Sequence, residues 1–198
     1  MLTSDYRPLC EVRLPYAARQ RYMHSFDLAA PIMAHGFEDY LEPVSALCKA
    51  AGALSGIAHM TVDEKIIAAG ATQRKPRPHV DGQFVPLLNR WSHGPGGGWN
   101  HYCNNVPLAR MPIIVAASVA GCRVWRGAFN GHPKDDGDCS HIELGAGEIV
   151  PADTGYLLTP DCIHESLPFD RPTQRTFLRI ALPVTFHDTH PLSRDFSS

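Results

Sequence analysis

Pro78-His79-Val80-Asp81-Gly82 is the stretch on which the reading of this chain turns. It closes the stiff, basic run Arg74-Lys75-Pro76-Arg77-Pro78, whose prolines favour extended backbone. In an extended segment the side chains at i and i+2 leave from one face, so His79 and Asp81 can converge on a single ion while Val80 points the other way. Two ligands hold a metal poorly. A third ligand, and a reason for a metal, must come from elsewhere in the chain.

The 198 residues suit one domain with a sizeable core, and 44% hydrophobic with 19% charged residues is an ordinary globular balance. We divide the domain into a mainly helical support over 1–56, a β core with the metal site over 57–185, and a polar tail over 186–198. The formal net charge of -2 gives no global field for nucleic acid or anionic lipid, although Arg74, Lys75 and Arg77 leave room for a local basic groove. The six cysteines form no CxxC pair, which fits reduced thiols in a cytoplasmic protein better than a disulfide scaffold. No apolar run reaches the ~20 residues needed to span a bilayer, so no membrane partner is expected.

Upstream of the motif, Val12 and Leu14 alternate with charged neighbours as in a strand or arm over 1–15. The composition of 15–30 (Ala17, Ala18, Gln20, Met23, Leu28) predicts a helix that ends before Pro31. Phe37, Tyr40, Leu41, Val44, Leu47 and Cys48 recur at three- and four-residue steps and predict a second helix over 36–53. From residue 57 onward the texture is β: strands are expected within 57–71 and over 111–120, 122–129, 148–151, 156–159 and 175–183, separated by Gly-, Asn- and Asp-containing turns. Helices first and many short strands afterwards predict an α+β fold, a closed or two-layered β core carrying N-terminal helices on one sheet.

Two further pieces bear on the motif. Residues 89–105 form a loop rich in glycine, Trp and His, in which Trp91, Trp99 and Tyr102 are candidate substrate contacts. Trp125 and Arg126, opposite in parity on their strand, offer one more contact between them. Downstream, an apolar strand and a turn lead into His164-Glu165-Ser166-Leu167-Pro168, and a second strand carries Arg175 and Arg179 on one face. The expected hairpin sets His164 beside Arg175. His79, Asp81 and His164 then make two histidines and one carboxylate, the facial set suited to Fe(II) with open positions. A nearby guanidinium suits the far carboxylate of a dicarboxylate co-substrate.

His79-Val80-Asp81, the 83-residue gap to His164, and Arg175 a further 11 residues on together resemble the Fe(II)- and 2-oxoglutarate-dependent dioxygenases. His164-Glu165-Ser166-Leu167-Pro168 is most similar to their prolyl-hydroxylase-like branch. The resemblance covers residues 57 to 183. It implies a double-stranded β-helix (a jelly-roll, cupin-like core), with Fe(II) held by His79, Asp81 and His164. It also implies 2-oxoglutarate paired with Arg175, or with Arg179 at the spacing of other branches. O₂ is then the oxidant, and ascorbate a stimulant of turnover. The implied activity hydroxylates a small-molecule or amino-acid-like substrate and releases succinate and CO₂. Two other classes remain open here: a cupin-like metal enzyme that does not use 2-oxoglutarate, and a non-catalytic binding module of the same fold.

Overall fold

A computed structural model describes residues 1–81, 84–85, 90–91, 111–134, 136–183 and 186, with backbone pairing alone for 84–85 and 90–91. In chain order the elements are β1 (Leu2–Ser4), β2 (Tyr6–Glu11), β3 (Gln20–Asp27), a 3-10 turn (Glu38–Tyr40), α1 (Leu41–Ala51) and β4 (Ile57–Ile67). There follow β5 (Phe84–Val85), β6 (Arg90–Trp91), β7 (Ile113–Ala117), β8 (Cys122–Val124), β9 (Gly127–Phe129) and β10 (Glu148–Ile149). The last three are β11 (Thr154–Leu158), β12 (His164–Ser166) and β13 (Thr173–Ala181). The architecture is mostly antiparallel sheet with one short α-helix.

The large sheet runs β2-β11-β7-β13-β4-β3 and the small one β10-β8-β12, with β1-β9 and β5-β6 as separate pairs. From β7 onward the chain passes between the two sheets: β7 lies in the large one, β8 and β10 in the small, β11 in the large, β12 in the small and β13 in the large. The period-two pleat sorts the side chains. On β13, Phe177 and Ala181 join Ile113, Val115, Tyr156 and Leu158 in a core that also takes in Val124 of the small sheet. Leu178 and Ile180 face the other way, with Met60, Val62 and Ile114, against Val44, Leu47 and Cys48 of α1. Gly155 makes room for that helix, since a Cβ there would lie 2.0 Å from Leu47 Cδ2. A third cluster, with Val80, Trp125 and Ile163, covers the outer face of the small sheet.

The helical expectation for 1–56 is corrected. The second helix exists over 41–51 and ends where predicted, at Gly52 in left-handed backbone (φ 80), with Ala53 N–H donating to Cys48 O at 2.9 Å. The first does not: 20–27 is strand β3, paired with β4 at the edge of the large sheet. Good helix formers are overridden because Glu64, on β4, accepts the backbone N–H groups of Ala17 and Arg19 (3.0 Å to Arg19) and ties the segment alongside. Ala18 and Met23, both at φ 55, fit no helix. Strand 122–129 likewise divides in two at Trp125-Arg126. Among the described residues no helix is long and apolar enough to cross a membrane.

Candidate metal centre

His79 sits where backbone pairing leaves it little freedom. His79 N–H donates to His164 O at 3.0 Å and His164 N–H returns the bond to His79 O at 2.9 Å, an antiparallel bridge that adds His79 to the edge of the small sheet. On the far side Val80 N–H donates to Gly137 O (3.0 Å) and Cys139 N–H to Pro78 O (2.8 Å). Directly paired residues present side chains on the same face. The two imidazoles accordingly lie 4.4 Å apart, centre to centre. Asp81, two residues on, shares that face, whereas Val80 turns into the outer cluster.

The hydrogen bonds fix the tautomers. His79 Nδ1 is 2.8 Å from Arg77 O, and His164 Nδ1 is 3.0 Å from Cys162 O. A carbonyl only accepts, so each Nδ1 carries a proton, and each ring turns its Nε2 away from that carbonyl. His164 Nε2 stands 3.7 Å from Asp81 Oδ1, too far for a hydrogen bond. Ligand atoms of His79, Asp81 and His164 lie within 4.8 Å of one another, and among the described residues they are the one His/Cys/Asp/Glu group so arranged. Three ligand atoms converging this closely suit a cation, and an Nδ1–H anchored on a backbone carbonyl is the usual outer support of a metal-bound imidazole. The residues present therefore fit a metal ion.

Electrostatics agree. Burial, with the neighbouring His164 ring second, pushes His79 down to about 3, so its ring stays neutral and able to ligate at physiological pH. Burial would raise Asp81, but Arg179, then His164, His79 and Arg74, outweigh it and hold the carboxyl well below the usual range. Arg179 Nη2 lies 3.2 Å from Asp81 Oδ2, which leaves Oδ1 on the His164 side.

The three residues line a cavity of about 190 Å³ with Arg74, Arg175 and Arg179 on its walls. Arg175 is only 1% exposed; its Nε donates to Val119 O at 2.7 Å, its Nη1 donates to Gln73 Oε1, and its guanidinium lies near the rings of Phe169 and Phe177. These hydrogen-bond partners are neutral, and burial lowers Arg175 to about 10. Asp63 supports its charge without an ion pair, and a buried cation not directly paired with a carboxylate among the described residues is prepared for an incoming anion.

The remaining candidates are placed differently. His164 and Arg175 do not sit on one hairpin; they lie on opposite sheets and meet across the cavity, because 167–172, with Pro168 and Pro172, carries the chain from one sheet to the other. Trp125 does not line the cavity: it is 5% exposed in the outer cluster, its Nε1 donating to Gly145 O at 3.1 Å. Arg126 does not line it either, being paired with Asp5 at 3.0 Å and stacked on Tyr6. Neither of the two candidates thus lines this cavity among the described residues. Trp91 pairs with Phe84 through β5-β6, while Trp99 and Tyr102 lie outside the described residues. Gln73 was not legible in the sequence, where nothing marks a glutamine as an arginine's partner. Arg74 was visible only as one of three basic residues before the motif. No family model matches the chain, and a search of curated proteins finds no match.

Proposed function

We propose that the chain is an Fe(II)- and 2-oxoglutarate-dependent dioxygenase that hydroxylates a small or amino-acid-like molecule, with 2-oxoglutarate and O₂ consumed and succinate and CO₂ released. One observation carries this reading. A two-histidine, one-carboxylate set with both Nδ1 atoms anchored on carbonyls shares a cavity with a buried arginine whose hydrogen bonds go to neutral acceptors. The passage of successive strands between the two sheets supports the double-stranded β-helix as the underlying fold.

His79, Asp81 and His164 would hold the ion, whose chemistry, once 2-oxoglutarate is bound, is the activation of O₂. The rest falls to the chain's own side chains. Arg179 restrains Asp81 through Oδ2, and the two carbonyl-anchored imidazoles keep their Nε2 atoms aimed at one point. Arg175, oriented by Gln73 and Val119 O, would grip the far carboxylate of the co-substrate through two parallel hydrogen bonds and select a diacid of matching length. We favour it over Arg179, whose guanidinium already serves Asp81. Ile113, Val115 and Phe177 line the same cavity and limit water at the site. The free thiols of Cys10, Cys48, Cys122, Cys139 and Cys162 support a reducing, cytoplasmic setting.

The test is anaerobic. Fe(II) and 2-oxoglutarate added together should produce the visible charge-transfer band of the chelate, and His79→Ala should abolish it. A protein giving no band and no 2-oxoglutarate-dependent change in Tm would sink the proposal.

A further inference from the structure

The cavity holds more positive charge than its own carboxylates neutralise. Asp81 is engaged by Arg179 at 3.2 Å, and Glu165 by Arg123 at 2.9 Å. Asp136 uses Oδ1 to accept the N–H of Asp138 at 2.9 Å, and its backbone oxygen accepts from Lys75 Nζ at 2.8 Å. Two guanidiniums, Arg175 and Arg74, make no direct ion pair with a carboxylate among the described residues. Arg175 is accounted for by the reading above. Arg74 is not.

Arg74 is held in place through its backbone. Its N–H donates to Ser166 Oγ at 3.3 Å, and Ser166 N–H donates to Lys75 O at 3.2 Å, which fastens 74–75 beside the strand that carries His164. The half-buried side chain lies over Phe177, 5.4 Å from the ring centre, on the wall of the cavity. Its guanidinium has no side-chain hydrogen bond or ion pair among the described residues. Arg175 lies 5.8 Å from the centre of the same Phe177 ring, so that ring is shared by the two guanidiniums, and Arg74 lines the cavity together with His79, Asp81 and His164. A cation held over an aromatic ring beside an apolar wall interacts strongly with an incoming anion because little water competes.

We propose that Arg74 is the specificity-determining residue of this cavity and grips a carboxylate or phosphate on the primary substrate, so that the substrate is an anionic small molecule. This rests on the dioxygenase reading for the substrate's role, while the anion site itself does not require it. Arg175 and Arg74 then divide the work, one for the co-substrate's far carboxylate and one for the molecule to be oxidised.

The experiment compares the wild-type protein with Arg74→Lys, Arg74→Met (which keeps an aliphatic stem on Phe177) and Arg175→Met. In the first arm, inorganic phosphate is titrated into metal-free protein at constant ionic strength and read by the shift in Tm. Binding should weaken about 10- to 100-fold in Arg74→Met and less in Arg74→Lys. In the second, the 2-oxoglutarate chelate band of Fe(II)-loaded protein should still form in both Arg74 variants, with co-substrate affinity falling far more in Arg175→Met than in either. In the third, amino acids are compared with their carboxamides and nucleoside monophosphates with their nucleosides as stimulants of succinate release. Only the anionic partner of a pair should stimulate, and kcat/KM should fall in Arg74→Met; whether acids or phosphates stimulate identifies the group. A phosphate response absent from wild type, or kept in Arg74→Met and lost in Arg175→Met, would overturn the proposal, as would stimulation by neutral partners alone. An Arg74-dependent phosphate response without any chelate band would sink the dioxygenase reading and leave the anion site standing.

Discussion

Two buried charge clusters lie on opposite faces of strand β4's sheet, and they are finished to different degrees. On the helix side Glu64, 2% exposed, accepts from Arg19 N–H (3.0 Å), Arg19 Nη2 (2.9 Å), Tyr40 Oη (2.7 Å) and Ala17 N–H, and Arg19 goes on to Asp39. Every strong acceptor there meets a donor from within the chain. On the cavity side two imidazoles and a carboxylate converge, and His164 Nε2 and Asp81 Oδ1, 3.7 Å apart, are joined by no hydrogen bond. Asp81 and Glu64 are both held below the ordinary carboxylate range, yet only Glu64 is satisfied by its neighbours. A completed network marks a structural pin, and an incomplete one that converges marks a place for a ligand.

Mutation should separate the two clusters cleanly. The largest effect is expected at the cavity: Asp81→Ala should weaken divalent-metal binding on the order of a thousandfold by calorimetry, since it removes the only anionic ligand. It should also lower Tm in chelator, because the buried Arg179 guanidinium loses the carboxylate it pairs with. Comparable loss of metal affinity in Glu64→Gln would break the distinction. Glu64→Gln should instead cost about 3 kcal/mol of folding stability, about 6–12 °C in Tm, with metal affinity intact. The sign of its pH dependence follows from its depressed folded-state pKa. Burial alone would raise it, but hydrogen bonds from Arg19, Tyr40 and the Ala17 and Arg19 amides prevail. The stabilisation is therefore full above the ordinary glutamate value and fades as pH falls through the lower folded-state value. Acid unfolding curves of wild type and Glu64→Gln should converge there.

Smaller effects should sharpen the contrast. Gly137 is in left-handed backbone (φ 80), and a Cβ there would stand 2.5 Å from Val80 O, between the two ligands of the motif. Gly137→Ala should destabilise by about 1–3 kcal/mol and weaken metal binding about tenfold, a joint loss not expected from Glu64→Gln. The smallest change is predicted at Arg77, whose φ of 74 turns its carbonyl onto His79 Nδ1. Arg77→Gly should keep metal affinity, whereas Arg77→Val should lose stability by about 1 kcal/mol and metal affinity with it. Equal behaviour of the two variants in a metal titration would show that this backbone conformation does not orient the ring.

What the sequence makes legible follows from locality. His79 and Asp81 are readable as a pair because strand parity acts over two residues, and α1 because its apolar stripe and Gly52 lie within a few turns. The shared face of Arg175 and Arg179 is another product of parity. Strand β3 is hidden because its state is decided by Glu64, more than forty residues away, against the helix preference of Ala17 and Ala18. The opposition of His164 and Arg175 across two sheets is hidden for a similar reason: a turn between strands reads alike whether it closes a hairpin or crosses between layers. Arg175's partner Gln73, 102 residues distant, leaves no local trace at all.

The position of β13 has a consequence for how the chain must be made. It is the last strand along the described chain, yet it lies between β7 and β4 in the large sheet and supplies the register for both. Until residues 173–181 leave the ribosome, β4 and β7 each have an open edge, and the long-range pairings that close the sheet are of the slow, entropically costly kind. Nascent chains halted before this point should be sticky and protease-sensitive however completely the motif at 79–81 has been synthesised. The wall opposite His79, with Arg175 and Arg179, is thus the last of the described strands to arrive, after all three ligand residues.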